Sequence, residues 1–196
     1  MRLRSLALLL GSLTGCLSEN AHYEGTINGE KFEVADAAYV SKRYPAETQR
    51  ARQEVLVNLI LLSTTYSLCQ DIGAQVLHPR QRFLLMTTVT PTGAQTTSPL
   101  PLPEGWPHVM GGLNSACDTL PNTAITRGTI TLKGADYAKG ENAEGTFEIN
   151  LASGDHGTGT FDASACPAME TFTDEVVAIA NGDTTRNGLL IHGACR

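Results

Sequence analysis

The runs Gly128-Thr-Ile-Thr-Leu-Lys133, Gly145-Thr-Phe-Glu-Ile-Asn-Leu151 and Gly157-Thr-Gly-Thr-Phe-Asp-Ala163, with Ser153-Gly154-Asp155 between the last two, decide the fold. Apolar and polar residues alternate along each run with a period of two. That spacing puts one set of side chains on each face of a strand. Ile130 and Leu132 share a face. Phe147, Ile149 and Leu151 share the next, with Thr146, Glu148 and Asn150 opposite them, and Phe161 and Ala163 face inward from the third. Ser153-Gly154-Asp155 has the composition of a tight turn. The pattern predicts a three-strand antiparallel meander.

Similar grammar recurs upstream. Tyr23, Gly25 and Ile27 alternate on one arm, and Phe32 and Val34 on another. Asn28-Gly29 between them supplies the two positive-φ residues of a type I′ turn. Ala37–Val40 reads as a further short strand. The polar run 41–53, which contains Pro45, reads as a loop or one or two turns of helix. Glu54–Ser63 holds Val-Leu-Val-Asn-Leu-Ile-Leu-Leu, apolar on both faces. Periodicity alone does not separate a central strand from a buried helix here. Thr64, Thr65 and Tyr66 and the β-rich surroundings favour the strand, and Arg82–Thr90 reads the same way.

Five of the nine prolines fall in residues 91–107. Proline cannot donate to a central ladder, so this stretch is expected to be a long loop, with Trp106 at its end packed on the domain edge. Glu175–Ala180 reads as a strand or a helical turn, Asn181-Gly182-Asp183 as a turn, and Leu189–His192 as a last short strand near Cys195. The sum is an all-β chain: an antiparallel sandwich or barrel of about 8–10 short strands with little helix.

The chain has 196 residues, the size of one domain, expected over residues 23–196. It is 41% hydrophobic and 17% charged, which excludes a charge-rich disordered chain. The formal net charge of −6 argues against nucleic acid as a partner. Residues 99–196 hold 12 acids and 5 bases, so most of the negative charge lies in the second half.

The first residues read as an export signal. Arg2 and Arg4 precede an apolar run from Leu6 to about Leu13, too short to span a bilayer as a helix, which takes about 20 apolar residues. The run ends in Leu13-Thr14-Gly15-Cys16, which resembles the lipobox of bacterial lipoproteins. The resemblance implies cleavage between Gly15 and Cys16, with diacylglycerol on the Cys16 thiol. Residues 1–15 are then the signal peptide and 16–22 a tether. Leu17 and Ser18 follow where lipoproteins retained at an inner membrane carry Asp, which points to an outer membrane. The meander and the Gly25-Thr-Ile-Asn-Gly-Glu-Lys-Phe32 hairpin also resemble a pattern in uncharacterised β-rich envelope lipoproteins. There a Ser-Gly-Asp turn is followed by Gly-x-Phe-Asp-Ala and a cysteine, here Gly159–Ala163 and Cys166. That resemblance covers roughly a third of the chain, implies a periplasm- or surface-facing β domain, and brings no activity with it.

Cys69, Cys117, Cys166 and Cys195 remain. In an oxidising compartment an even number of cysteines reads as two disulfides. No two lie at zinc-ligand spacing, so no metal is expected. Four cysteines allow three pairings, and sequence does not choose among them. The preferred pairing is Cys69–Cys166 with Cys117–Cys195, because Cys69 follows a long apolar strand and Cys166 follows a strong hairpin.

Motifs that carry chemistry are missing from the sequence. It contains no Gly-x-Ser-x-Gly, no phosphate-loop motif and no His-Glu-x-x-His, and nothing calls for a cofactor. Asp155-His156 is the one acid–histidine neighbour pair. Adjacent strand residues point to opposite faces, so it reads as turn chemistry for Asp155 beside a solvated His156. His22, His78, His108 and His192 are scattered. Lys42, Arg43, Arg50, Arg52, Arg80 and Arg82 read as solvated, balanced by Glu47 and Glu54, with a gathered basic patch as the alternative. The expectation is a membrane-anchored envelope lipoprotein with a non-enzymatic binding or structural role. It would meet the membrane through its N-terminal lipid and take an envelope protein, a glycan or a small apolar ligand. The alternative is a hydrolase whose site is assembled from distant residues.

Overall fold

The computed structural model describes residues 21–44, 55–91, 96–100, 109–112, 115–117, 123–134, 140–171, 173–174 and 194–195. The strands are β1 (Ala21–Ile27), β2 (Glu30–Lys31), β3 (Asp36–Tyr44), β4 (Val55–Ser63), β5 (Val76–Leu77), β6 (Arg82–Pro91), β7 (Thr96–Leu100), β8 (Val109–Gly112), β9 (Thr123–Gly134), β10 (Ala143–Leu151), β11 (His156–Ala165) and β12 (Ala194–Cys195). The helix α1 (Leu68–Ala74) and a 3-10 turn (Pro167–Met169) accompany them, and Glu170, Thr171, Thr173 and Asp174 after that turn are also helical.

Ten strands form one sheet. β10, β9, β8, β6, β4, β3 and β11 follow one another, and β11 pairs back with β10, so the sheet curls round on itself. β1 lies along β11 and carries β2, β7 lies along β9, and β12 and β5 make a separate pair. The all-β expectation holds, but the sheet is mixed. β11 meets β3 in parallel at Ser164↔Ala38 and Ala165↔Tyr39, and β12 meets β5 in parallel. The first contact arises because β11 runs on past the start of β1, at Ala21↔Phe161, and finds β3 heading the same way.

The meander has the expected register. Phe147 lies opposite Ile130 on β9 and Gly159 on β11, and Gly145 lies opposite Phe161. Along β10, Ala143, Gly145, Phe147, Ile149 and Leu151 are buried, while Glu144 and Glu148 are exposed. The turn at Asn28-Gly29 forms as expected, with φ of 54° and 78°, but its second arm is β2 alone, and Phe32 and Val34 lie beyond the paired residues.

The inward side chains pack into one core: Tyr23, Phe32, Tyr39, Ile60, Leu62, Leu84, Met86, Ile130, Phe147, Ile149 and Phe161 among them. The rings need room, and facing glycines provide it. A β-carbon at Gly159 would strike the Phe147 ring, one at Gly157 the Tyr23 ring, and one at Gly145 the Phe161 ring.

A second core explains the doubly apolar strand. Val57, Leu59 and Leu61 point away from the first core and meet Ala38, Val40, Phe83, Leu85, Leu68, Cys166 and Met169. α1 and the 3-10 turn cover this outer face of β3, β4 and β6, so β4 is apolar on both sides. The sequence reading placed no helix here. α1 starts at Ser67, in the left-handed region with no side-chain cap. The Asp36 carboxylate supplies the missing acceptor, taking the Leu68 N–H at 2.8 Å.

Three local expectations change. Ser41–Tyr44 belong to β3 rather than to a loop or helix, because each residue has a β4 partner, as in Tyr44↔Val55. Inside the proline-rich stretch, Thr96–Leu100 form β7, with Pro99 opposite Thr129. β7 has a ladder on one side only among the described residues, the edge position at which proline is tolerated. The last strand comprises Ala194–Cys195, while Leu189–His192, Glu175–Ala180, residues 181–183 and Trp106 lie outside the described residues.

Candidate functional site

The outward residues of the meander and β1 form rows across the sheet. His22, Thr160, Thr146 and Thr131 lie in one row, and Glu24, Thr158, Glu148 and Thr129 in the next. Strand spacing of about 4.8 Å sets these residues side by side. His22, Glu24, Thr158, Thr160, Thr146 and Glu148 line a groove of about 450 Å³ on this face. Glu24 and Glu148 flank Thr158, one strand away on either side. His22 Nε2 lies 3.2 Å from Glu24 Oε1. His156 Nδ1 is 3.2 Å from the Asn150 amide oxygen, and its Nε2 is 3.9 Å from Glu148 Oε1. The face is an array of hydroxyls, imidazoles and carboxylates on rigid backbone, suited to hydrogen bonding with a polar partner.

Asp155 does turn chemistry, as its position suggests. Its carboxylate accepts from the Thr26 hydroxyl at 2.7 Å, the Asn28 N–H at 2.6 Å and the Ser153 hydroxyl at 2.7 Å. It pins the β1–β2 turn to the β10–β11 turn. The Thr26 hydroxyl, then that of Ser153, holds its carboxyl below the usual range. Asp155 also helps raise the nearby Tyr23 phenol, which burial chiefly pushes up to about 12.

The histidines are less scattered than their spacing suggested. His78 Nε2 meets Asp71 Oδ2 at 2.7 Å, across the end of α1, and the backbone N–H of His78 donates to Gln81. Gln81 in turn donates to Ser63 and Thr65. His22 and Glu24 are two apart on a strand and so share a face, a signal the period of two carries. The Asp71–His78 pair has no such signal, because it depends on α1 ending in a left-handed residue, Gln75.

Among the described residues, Lys42 and Arg82 lie apart. Lys42 lies opposite Val57 near one end of β4, while the backbone of Arg82 meets Thr64 just past the other end. Each has its own acid. Lys42 pairs with Asp174 at 2.6 Å, with the Tyr44 hydroxyl donating to the same carboxylate. Arg82 pairs with Glu30 at 3.1 Å and also donates to Ile27 O. Burial, then Asp174, raises the Tyr44 phenol well above its ordinary value. Arg50, Arg52, His108 and His192 lie outside the described residues, as do Gly15 and Cys16.

The cysteines pair as preferred: Cys69 with Cys166, Cα atoms 5.5 Å apart, and Cys117 with Cys195, 5.7 Å apart. Among the described residues no group of three or more His, Cys, Asp or Glu is placed to hold a metal ion. No described helix is long and apolar enough to cross a membrane. Comparison with protein-family models, curated proteins and solved structures finds no match for this chain.

Proposed function

We propose that the chain is a membrane-anchored lipoprotein of the bacterial envelope, cleaved after Gly15 and lipid-modified on Cys16. Its β domain serves a non-enzymatic binding or structural role. The observation that carries this reading is Leu13-Thr14-Gly15-Cys16 at the end of the apolar run, just upstream of the folded domain. β1 begins at Ala21, and a chain spans at most about 3.6 Å per residue. The first strand therefore sits within about 18 Å of the lipidated residue. Two disulfides suit an exported domain. Two or three acyl chains, at about 0.8 kcal/mol per buried CH₂, anchor stably. The absence of Asp after Cys16 directs the protein to an outer membrane. On the domain, the groove lined by Glu24, Glu148 and the threonines offers hydrogen bonds to a polar occupant, an envelope protein or glycan.

The test is metabolic labelling with a fatty acid, followed by membrane fractionation, in the wild type and in Cys16→Ser. The wild type should take up label and sediment with membranes. The variant should do neither while keeping both disulfides. Labelled Cys16→Ser in the membrane fraction would overturn the proposal.

A further inference from the structure

The two disulfides differ in the properties that govern thiol–disulfide exchange. We propose that Cys117–Cys195 is a reducible latch holding β12 on β5, while Cys69–Cys166 is a permanent staple of the outer core. The inference is independent of the lipid anchor.

Access separates the bonds first. Cys195 is exposed and Cys117 half-buried. Cys69 is half-buried like Cys117, so the contrast lies at the other sulfurs: Cys166 is 0% exposed and sits in the second core, whereas Cys195 is open. Exchange requires a thiolate to reach a sulfur, and the Cys195 end offers that approach. Backbone conformation separates them next. Cys117 has φ of 61°, the left-handed region that residues bearing a β-carbon seldom adopt. Opening the bond frees Cys117 to leave that conformation.

The anchorage of the joined elements decides what opening would do. Cys166 is held without its disulfide: its N–H donates to Tyr39 O at 2.8 Å, and Met169 beside it is buried. Cys69 lies within α1, whose Leu68 is buried and whose first turn Asp36 caps. β12 is two exposed residues. It pairs with Val76 and Leu77, and the Ala194 N–H donates to Gln75 O at 2.8 Å. So short and exposed a strand sits at the low-stability end of a structure, and the disulfide is its covalent hold.

The reductant is a dithiol, of the class that protein oxidoreductases carry. One thiolate attacks the Cys195 sulfur, forming a mixed disulfide, and Cys117 leaves as thiolate and takes up a proton. The second thiolate of the reductant then attacks the mixed disulfide and closes the reductant's own disulfide. Cys195 leaves as thiolate and is protonated in turn. Two electrons pass from the dithiol to the protein. β12 then separates and uncovers the backbone edge of Val76–Leu77, beside the Asp71–His78 pair.

The folded chain would be treated with graded dithiothreitol, quenched in acid, alkylated and mapped by mass. Cys117 and Cys195 should be modified ~10-fold faster or more than Cys69 and Cys166. Hydrogen exchange on the singly reduced species should show the Ala194 amide losing protection while Leu59–Leu62 amides keep theirs. A Cys117→Ser/Cys195→Ser variant should reproduce that pattern. If it does not fold, the singly reduced wild type supplies the measurement. Earlier opening of Cys69–Cys166, simultaneous opening of both bonds, or an Ala194 amide still protected after selective reduction would each overturn the proposal.

Discussion

Replacing Phe147 with alanine tests the meander and its core together. The side chain is 4% exposed. Its ring stacks on Tyr23 at 6.0 Å and on Phe161 at 6.4 Å between centroids, and it lies over Gly159. Truncating a buried Phe typically costs about 3–5 kcal/mol. The upper part of that range applies here, because Gly159 has no side chain to swing into the void and the neighbouring rings are fixed by their own strands. At about 2–4 °C per kcal/mol for a domain of this size, the melting temperature should fall by roughly 8–20 °C. Glu148, next along β10, lines the groove, and its nearest ionic partner among the described residues is His156 at 3.9 Å. Its replacement by alanine should stay within about 0.5 kcal/mol, as for most surface changes. Thermal unfolding by circular dichroism, with both disulfides confirmed intact, makes the comparison. Equal losses from Phe147→Ala and Glu148→Ala would refute the register and the assignment of inner and outer faces.

Gly159→Ala should also destabilise, because the added carbon meets both the Phe147 ring and the His22 carbonyl, and backbone cannot swing aside; urea unfolding measures the loss. Asp155 has a lowered folded pKa. Its contribution is therefore present above the ordinary carboxylate value of about 3.9 and is lost as pH falls through the folded value. Asp155→Ala should be less stable than wild type at neutral pH, with the gap closing in acid, which chemical denaturation at stepped pH would show. Tyr23 is raised to about 12, so its stabilising contribution is full below about 10 and is lost as pH rises through the folded value. Tyr23→Phe should therefore soften the alkaline loss of stability, read as unfolding midpoints between neutral and alkaline pH.

The parts legible in the sequence are those where one face is wet. Strands β1, β10 and β11 alternate because their outer side meets solvent, and the Asn28-Gly29 and Ser153–Asp155 turns have residues that name their own geometry. The disulfide pairing is only a preference among three in the sequence, and its geometry rests partly on α1, which carries Cys69 and which the sequence does not reveal. The illegible parts depend on contacts distant in sequence. α1 is seven residues long, too short to stand by its own propensity, and it forms because Asp36 caps it and β4 offers an apolar roof. β7 contradicts its composition, since Pro99 reads as a breaker until an edge position is known. The groove was hidden for a different reason. Threonine and glutamate at outward positions are ordinary strand surface, and their alignment across four strands is a matter of register.

The curled sheet divides into two kinds of strand, and that division decides which side chains are free of packing. β3, β4 and β6 are buried on both sides, inside against the aromatic core and outside under α1 and the 3-10 turn. Apart from Ser41–Arg43 at the end of β3, their side chains are therefore largely committed to packing on each face. β1, β9, β10 and β11 are buried on one side, and there glycines at 145, 157 and 159 receive rings from neighbouring strands. A β-carbon at those glycines would force a ring or a strand to move, so the inner faces leave little choice of residue. The outer faces of the same strands have no such duty. Changes at Glu24, Thr158, Thr146 or Glu148 should have little effect on stability, and the backbone beneath them is held rigid by the core. A surface whose side chains are free to vary while their positions are fixed to within a strand spacing is well suited to recognition. In this protein that surface begins one residue after Ala21, at His22 on β1, and runs across β11 and β10 to Thr129 and Thr131 on β9.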